Sequence, residues 1–119
     1  MKVLMVGWEL PPFNSGGLGV ACFHLAKELN KKIDLTFTLP QKLNINSVPF
    51  KIIFASDFIK QISAYIKQKY FIDPKLYNLI FSYGLRILSS YNDKPNIIHG
   101  HDWFSGPAVN FLKEYFSAP

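Results

Sequence analysis

From Lys2 to Leu29 the chain reads KVLMVGWELPPFNSGGLGVACFHLAKEL, and the order of residue types in this segment predicts the fold class. The apolar run Val3–Val6 is typical of a parallel strand that is covered on both faces. Two prolines then interrupt regular structure, and apolar residues return at helical spacing from Leu18 onward. We therefore expect a buried strand, a long loop and a glycine-rich turn that opens a helix. The apolar stripe predicted for that helix comprises Leu18, Ala21, Cys22, Leu25 and Leu29.

Three glycines, Gly16, Gly17 and Gly19, lie where this helix is expected to begin. A helix N-terminus carries unpaired N–H groups and a partial positive charge, and residues without side chains let a phosphate approach that backbone. The same glycines could instead serve only a tight turn and close packing of the helix on the sheet. Their order and the long loop before them match neither the dinucleotide fingerprint nor the P-loop. A phosphate bound here would therefore be held in another geometry, and both interpretations stay open.

The rest of the chain alternates between strand patterns and helix patterns. Apolar and polar residues alternate at 33–39, and a second short apolar run lies at 50–54. Asp73 followed by Pro74 is a typical helix start. The further predicted elements are a helix at 58–70, a helix from 74 to about 90, a short strand at 97–98 and a helix that starts at Asp102 or Ser105. The inner face predicted for the last helix comprises Ala108, Phe111, Leu112 and Tyr115. This alternation predicts an α/β fold, a Rossmann-like three-layer parallel sheet.

Composition favours one packed domain. With 119 residues, 49% of them hydrophobic and 16% aromatic, the chain can build a modest core and differs from disordered proteins. The formal net charge is +5, but the lysines are scattered, so we expect no nucleic-acid partner. No apolar run is long enough to span a bilayer, and no secretory signal is evident, which favours a cytoplasmic location. The single cysteine, Cys22, is expected to be a buried thiol.

A second informative segment, HGHDW at 99–103, follows the short strand at 97–98. Open α/β sheets bind ligands at the carboxyl ends of their strands, so this segment meets the glycine-rich turn if the first and fourth strands are neighbours. Three interpretations are open. In the first, His99 is a buried strand end and Asp102 is only a helix cap. In the second, His99 and His101 chelate zinc in a metal-dependent hydrolase, although no third ligand is evident. In the third, the imidazole, carboxylate and indole groups bind a sugar.

Two segments of this chain resemble one enzyme family. Residues 9–18, ELPPFNSGGL, resemble the N-terminal signature of glycogen and starch synthases and related retaining glycosyltransferases, and residues 99–103 resemble their His-x-His-Asp-Trp segment. The chain differs from the synthases at Asn14, where they carry a lysine, and at Phe104, where they tend to carry a histidine. The resemblance implies the N-terminal half of a GT-B glycosyltransferase, in which two Rossmann-like domains face each other across a cleft.

The resemblance also implies roles for particular residues. His101 is implied as the catalytic-site histidine near the transferred sugar. The residues implied to bind the phosphates and sugar of the donor are Asn14, Ser15, Gly16 and Gly17. Supporting roles are implied for Glu9, Asp102 and Trp103. No metal and no cofactor is expected, and the implied substrate is a nucleoside diphosphate sugar, ADP-glucose or UDP-glucose.

The family resemblance sets the expected function and domain organisation. We expect residues 1–119 to be a partial N-terminal domain, with the C-terminal nucleotide-sugar domain supplied by a longer chain or a second subunit. With strand order 3-2-1-4, strand four would have an open edge. The expected reaction moves a hexose, first of all glucose, from a nucleotide sugar to a glucan or other glycan acceptor, and the isolated chain is expected to be inactive. The alternatives are a non-catalytic sugar- or nucleotide-binding subunit and, less favoured, the metal-dependent hydrolase.

Overall fold

The computed structural model describes residues 1–55 and 74–119. Within them, four strands form one sheet: β1 (Lys2–Val6), β2 (Asp34–Leu39), β3 (Lys51–Phe54) and β4 (Ile97–Gly100). The helices in the same residues are α1 (Gly17–Leu29), α2 (Pro74–Ser90) and α3 (Gly106–Phe116), with a 3-10 helix at Trp103–Ser105 leading into α3. The helix predicted at 58–70 and the cap predicted at Asp73 lie outside the described residues.

The strands follow the order β3-β2-β1-β4, and every neighbouring pair is parallel. Val6, the last residue of β1, lies opposite Thr38 of β2 and Gly100 of β4. This arrangement confirms the predicted Rossmann-like parallel sheet. The chain runs outward from β1 to β3 and then returns to β4 on the other side of β1. The carboxyl ends of β1 and β4 therefore flank the point where the order of strands reverses, which is where sheets of this kind bind ligands.

Both faces of the sheet are covered, which explains the continuous apolar run of β1. Val3 and Met5 point into a core under α1, together with Cys22 and Ala26 of that helix. On the other face, Leu4 and Val6 of β1 belong to a second core to which α2 and α3 contribute. The helix residues buried in this second core are Ile80, Tyr83, Ile87, Ala108, Leu112 and Phe116. The molecule thus has three layers, with helices on both faces of the sheet.

Two predicted helix faces were partly wrong. On α1 the buried residues are Gly19, Cys22 and Ala26, whereas two residues of the predicted stripe, Ala21 and Leu25, are exposed. Small side chains let the helix backbone approach the strands closely, so they face the sheet and the larger leucine lies at the flank. On α3, Tyr115 was predicted to face inward and is 60% exposed, because Phe116 fills the inner position instead.

The outer edge of β4, predicted to be open, receives one backbone hydrogen bond. The Ile98 N–H donates to the carbonyl of Pro119 at 2.8 Å, so the residues after α3 return to this edge. Over the described parts of the chain, no helix combines the length and the apolar character that crossing a membrane requires.

Candidate functional site

The site lies where β1 and β4 end side by side. The His101 N–H donates to the Val6 carbonyl at 3.0 Å, which continues the pairing of β4 with β1 one residue past Gly100. On the other side of β1, the Gly7 N–H donates to the Thr38 carbonyl at 3.1 Å. Hydrogen bonds to both β2 and β4 therefore fix the backbone where β1 ends. The loop into α1 begins at this point, and His101 lies beside it.

Glu9 holds the glycine-rich turn together. Its Oε2 atom accepts hydrogen bonds from the backbone N–H and the hydroxyl of Ser15, both at 2.9 Å, and its Oε1 atom accepts one from the Gly19 N–H at 3.2 Å. A carboxylate at the N-terminus of a helix satisfies unpaired N–H groups and complements the helix dipole. Glu9 thus caps α1 from the preceding loop. Gly16, at the N-cap position, has no side chain with which to do so.

The three glycines of the turn differ in what surrounds them. A β-carbon on Gly19 would lie 2.6 Å from Cβ of Asn14, so Gly19 is required for close packing. A β-carbon on Gly16 or Gly17 would meet nothing within 4 Å. No described glycine has a positive φ, so backbone conformation does not require glycine at these two positions either. Packing therefore accounts for Gly19 but not for Gly16 or Gly17, which leave their backbone open to an approaching group.

Asn14 and Ser15 make contacts within the loop. The side-chain amide of Asn14 donates to the Gly16 carbonyl at 2.8 Å, and both donors of Ser15 are directed at Glu9. These bonds shape the turn around Gly16 and Gly17. Donor binding by Asn14 and Ser15 stays a prediction, and in this geometry Asn14 retains one free amide hydrogen for it.

His101 is held between two rings. The His99 and His101 ring centroids are 4.2 Å apart, and the ring of Phe37 lies 6.5 Å from His101 at an interplanar angle of 23°. Nε2 of His101 is buried and has no hydrogen-bond partner among the described residues. Burial, and then the neighbouring His99, lowers the pKa of His101 from 6.5 to about 4. His101 is therefore neutral near pH 7 and can both donate and accept a hydrogen bond.

Gly7 and Phe37 were not predicted as parts of the site. A β-carbon on Gly7 would lie 2.2 Å from the ring of Phe37, so the glycine makes the space in which that ring reaches His101. Gly7 directly follows β1 and Phe37 belongs to β2, so the two residues touch only because β1 and β2 pair in one register. The glycine directly after a buried strand was the one sequence signal that could have drawn attention to this contact.

Asp102 has a strained backbone at the start of the 3-10 helix. Its φ of 69° and ψ of 158° are values that residues with side chains rarely adopt. Its side chain accepts a hydrogen bond from the Trp103 N–H at 2.6 Å, and its carbonyl accepts one from the Ser105 hydroxyl at 2.8 Å. These contacts hold the turn that presents Trp103, so Asp102 caps the 3-10 helix as one interpretation expected.

Aromatic rings join the two loops of the site directly. Trp8, which follows β1, stacks on Phe104 with centroids 4.7 Å apart, and Phe104 stacks on Trp103 at 3.8 Å. Carboxylates from both loops also act on the thiol of Cys22. Burial first, then the carboxylates of Glu9 and Asp102, raises the pKa of the Cys22 thiol to about 11. Trp8 directly precedes the segment 9–18 and Phe104 directly follows the segment 99–103, so this stack brings the ends of the two segments together where β1 and β4 are neighbours.

The arrangement of histidines bears on the metal interpretation. His99 and His101 contact each other ring to ring, and His24 is exposed on α1 with its ring against Phe23. In residues 1–55 and 74–119, no group of three or more His, Cys, Asp or Glu side chains is placed to hold a metal ion. The groups that the described site does offer are ring faces, backbone N–H groups and a neutral imidazole. Groups of these kinds bind phosphates and sugars.

Comparison with known proteins identifies one family. The family model described as the starch synthase catalytic domain matches residues 2–119, nearly the whole chain. Among curated proteins, and equally among solved structures, no significant match was found. The matched range contains both segments that meet at the carboxyl edge of the sheet.

Proposed function

Since this chain belongs to the starch synthase catalytic domain family, a family of glycosyltransferases, we propose that it moves a hexose from a nucleoside diphosphate sugar to a growing glycan. Glucose is the proposed sugar, with ADP-glucose or UDP-glucose as donor and a glucan as acceptor. The site binds these substrates without a metal or a cofactor. A cytoplasmic location stays a prediction.

The reaction breaks the bond between the anomeric carbon of the sugar and the terminal phosphate oxygen, and the nucleoside diphosphate leaves with the electron pair. An acceptor hydroxyl forms the new bond to that carbon and passes its proton to the departing phosphate oxygen. Catalysis requires donors that stabilise the charge growing on the leaving phosphate. Gly16 and Gly17 supply this at the N-terminus of α1, where no side chain blocks the backbone. Asn14 adds a weak neutral donor at the place of the synthases' lysine.

His101 positions the sugar from the other side of the site. Its Nε2 atom is buried without a partner among the described residues, so a sugar hydroxyl that reaches it gains a hydrogen bond and relieves an unsatisfied polar atom. The imidazole is neutral near pH 7, so it binds as a dipole and not as a cation. Asp102 holds the turn beside it, and Glu9 holds the glycine-rich turn opposite.

We propose that the chain acts as the N-terminal part of a two-domain enzyme. The nucleotide and most of the donor would be bound by a second Rossmann-like domain, from a longer chain or a second subunit, and the 119-residue chain alone would not turn over. One observation supports the proposed function: within the matched family range, two glycines with open surroundings and a neutral histidine without a hydrogen-bond partner among the described residues lie at the carboxyl edge of the sheet.

The test measures transfer of labelled glucose from ADP-glucose and UDP-glucose to glycogen. It uses the assembly isolated from the native cells, whose mass first shows whether a second domain is present. We expect transfer by the complete assembly and none by the isolated chain. His101→Ala should lower turnover by about a hundredfold, since one positioned hydrogen-bonding group contributes on that order.

His24→Ala is the matched control, because His24 is an exposed histidine on α1. We expect its turnover to equal that of the unmodified assembly. Equal turnover in His101→Ala would remove His101 from the mechanism. Donor or glycan binding without any transfer, in an assembly that contains every native partner, would favour the non-catalytic subunit instead.

A further inference from the structure

Phe37 is a completely buried residue of β2 whose ring lies beside the end of β1. It pairs with Met5 in the register of the two strands, yet its ring lies next to Gly7, two residues further along the chain. A β-carbon on Gly7 would lie 2.2 Å from Cζ of Phe37 and 2.3 Å from Cε1. The tip of the ring therefore occupies the space that a side chain at position 7 would fill, and glycine at this position lets the ring pass β1.

Beyond Gly7 the ring of Phe37 meets His101. The two ring centroids are 6.5 Å apart and the ring planes differ by 23°, which is within the range of interacting aromatic pairs. The same imidazole lies 4.2 Å from the ring of His99, and the His101 N–H is bound to the Val6 carbonyl. Since Nε2 of His101 has no hydrogen-bond partner among the described residues, ring contacts and the backbone determine where that nitrogen lies.

Phe37 is itself fixed in place. Its ring packs on that of Phe50, with centroids 5.9 Å apart, inside the core under α1. The backbone beside it is also fixed, because the Tyr83 hydroxyl donates to the Gly7 carbonyl at 2.9 Å. A side chain whose own rotamer is locked by packing can hold a neighbouring functional group in one orientation.

The charges around His101 leave burial as the main influence on its imidazole. In the described part of the chain, the titratable groups at this edge are His99 on β4, Cys22 on α1, Glu9 in the loop before α1 and Asp102 next to His101. Burial lowers the pKa of His101 to about 4, and His99 adds a smaller contribution in the same direction. The apolar ring that excludes water from this imidazole thus also keeps it neutral.

We propose that Phe37, reaching past Gly7, is a positioning residue that orients the imidazole of His101 toward the transferred sugar. This inference rests on the proposed function, which places that sugar at Nε2 of His101. Phe37 touches no substrate itself, because it is completely buried. A leucine at position 37 would keep the core apolar but is too short to reach past Gly7. The imidazole would then lose its neighbour, and water could enter the space beside it.

The titration of His101 tests the positioning directly and requires no substrate. In the full 119-residue chain, NMR should place the titration midpoint of His101 near pH 4. In Phe37→Leu we expect this midpoint to rise toward the ordinary value of 6.5, by about one pH unit or more, because water reaches the imidazole. An unchanged midpoint in Phe37→Leu would overturn the proposal.

Phe116→Leu is the matched control, because Phe116 is a buried phenylalanine in the core on the other face of the sheet. The same atoms are removed from a packed core, so the midpoint of urea unfolding should fall in both variants. The titration midpoint of His101 should stay near pH 4 in the control alone. An equal rise in the two variants would reduce the effect to a general loosening of the fold and overturn the proposal.

A double variant separates the position of the ring from stability. Gly7→Ala alone forces the Phe37 ring out of its place, so the midpoint of urea unfolding should fall. When Gly7→Ala is combined with Phe37→Leu, the new β-carbon fills space that the shorter side chain leaves, and part of the stability should return. The His101 midpoint should nevertheless stay raised, and its return to pH 4 would overturn the proposal. The double variant also supplies the measurement if Phe37→Leu alone does not fold.

Activity in the complete assembly separates this inference from the proposed function. Phe37→Leu should lower kcat about tenfold at pH 7 and leave the donor KM nearly unchanged, since it misplaces a group that acts in the transition state. Only the neutral imidazole binds as proposed, so activity should be lost at a higher pH in Phe37→Leu than in the unmodified assembly when the pH is lowered.

The two proposals fail separately. Ordinary kcat and an unchanged pH profile in Phe37→Leu would overturn the positioning role and leave the glycosyltransferase function standing. Absence of transfer by the unmodified assembly, together with a raised His101 midpoint in Phe37→Leu, would contradict the proposed function and support the control of His101 by Phe37.

Discussion

At the scale of single residues, His101 owes its properties to its neighbours. Phe37 and His99 bury the ring, and the resulting pKa of about 4 makes it neutral through the whole physiological range. The sequence motif predicted that this histidine belongs to the site. Its neutral state was not predictable, because it depends on a ring from β2 that reaches His101 across Gly7.

The first prediction concerns the titration of His101. The imidazole resonances of the 119-residue chain, followed by NMR, should show one histidine whose titration midpoint lies near pH 4, because its pKa is lowered to about 4. His101→Asn should remove that signal and leave the signals of the other two histidines, His24 and His99. A titration of His101 at its ordinary value near 6.5 would contradict the buried geometry.

The same shift makes the stability of the protein depend on pH. Between about pH 4 and 6.5 the unfolded chain binds a proton at residue 101 that the folded chain does not, so stability rises with pH across that window. The contribution is complete above pH 6.5 and is lost as the pH falls toward 4. The midpoint of urea unfolding should therefore fall more between pH 7 and pH 5 in the native chain than in His101→Asn.

The second prediction separates the glycines of the turn. Gly17→Ala should fold with unchanged stability, because its β-carbon meets nothing within 4 Å, yet it should weaken donor binding about tenfold in the complete assembly. Gly19→Ala should instead destabilise the fold by about 1–3 kcal/mol through its contact with Asn14. Unfolding curves and donor titrations of both variants check this. Unchanged donor affinity in Gly17→Ala would leave that glycine without a role in binding.

At the scale of elements, α1 shows what a sequence pattern can and cannot specify. The predicted glycine turn and the predicted apolar stripe from Leu18 to Leu29 match its observed range Gly17–Leu29, because both are local signals. Its inner face was partly wrong, because Leu25 fits the helical period as well as Ala26 does. Only the close approach of helix to sheet, a tertiary property, selects the smaller residue.

The third prediction concerns the cap of this helix. Glu9→Gln removes the negative charge at the N-terminus of α1 and weakens three hydrogen bonds, so the free energy of unfolding should fall by about 1–2 kcal/mol. Urea denaturation measures the loss. Glu28→Gln, on the exposed far end of α1, is the control and should change little, since surface ion pairs contribute little. An equal effect of the two variants would mean that Glu9 is not a cap.

At the scale of the whole molecule, one buried hydroxyl ties α2 to the sheet beneath the site. Tyr83 donates to the Gly7 carbonyl at 2.9 Å and lies 2.9 Å from the hydroxyl of Thr38. Burial raises the pKa of Tyr83, so the hydroxyl keeps its proton. The three-layer architecture was predictable from the alternation of strand and helix patterns. This contact was not, because it joins a helix, a strand and the loop after β1, which are far apart in the sequence.

The fourth prediction tests this tie. Tyr83→Phe leaves the Gly7 carbonyl and the Thr38 hydroxyl with fewer partners in a buried position, which should cost about 1–3 kcal/mol of stability. Thermal or urea unfolding measures it, and Tyr115→Phe on the surface of α3 should have no effect. Equal stability of Tyr83→Phe and the native chain would show that the hydroxyl is dispensable.

The rate at which a reagent labels the buried thiol of Cys22 measures how often α1 moves away from the sheet. The chain has no other cysteine, and this one lies 2% exposed between α1 and β1 with its pKa raised to about 11. A thiol reagent can therefore reach it only when α1 lifts away, so the labelling rate counts those openings. A ligand that joins the glycine turn to His101 would lengthen the interval between them. Slower labelling in the presence of a nucleotide sugar would thus report occupancy of the site without any turnover.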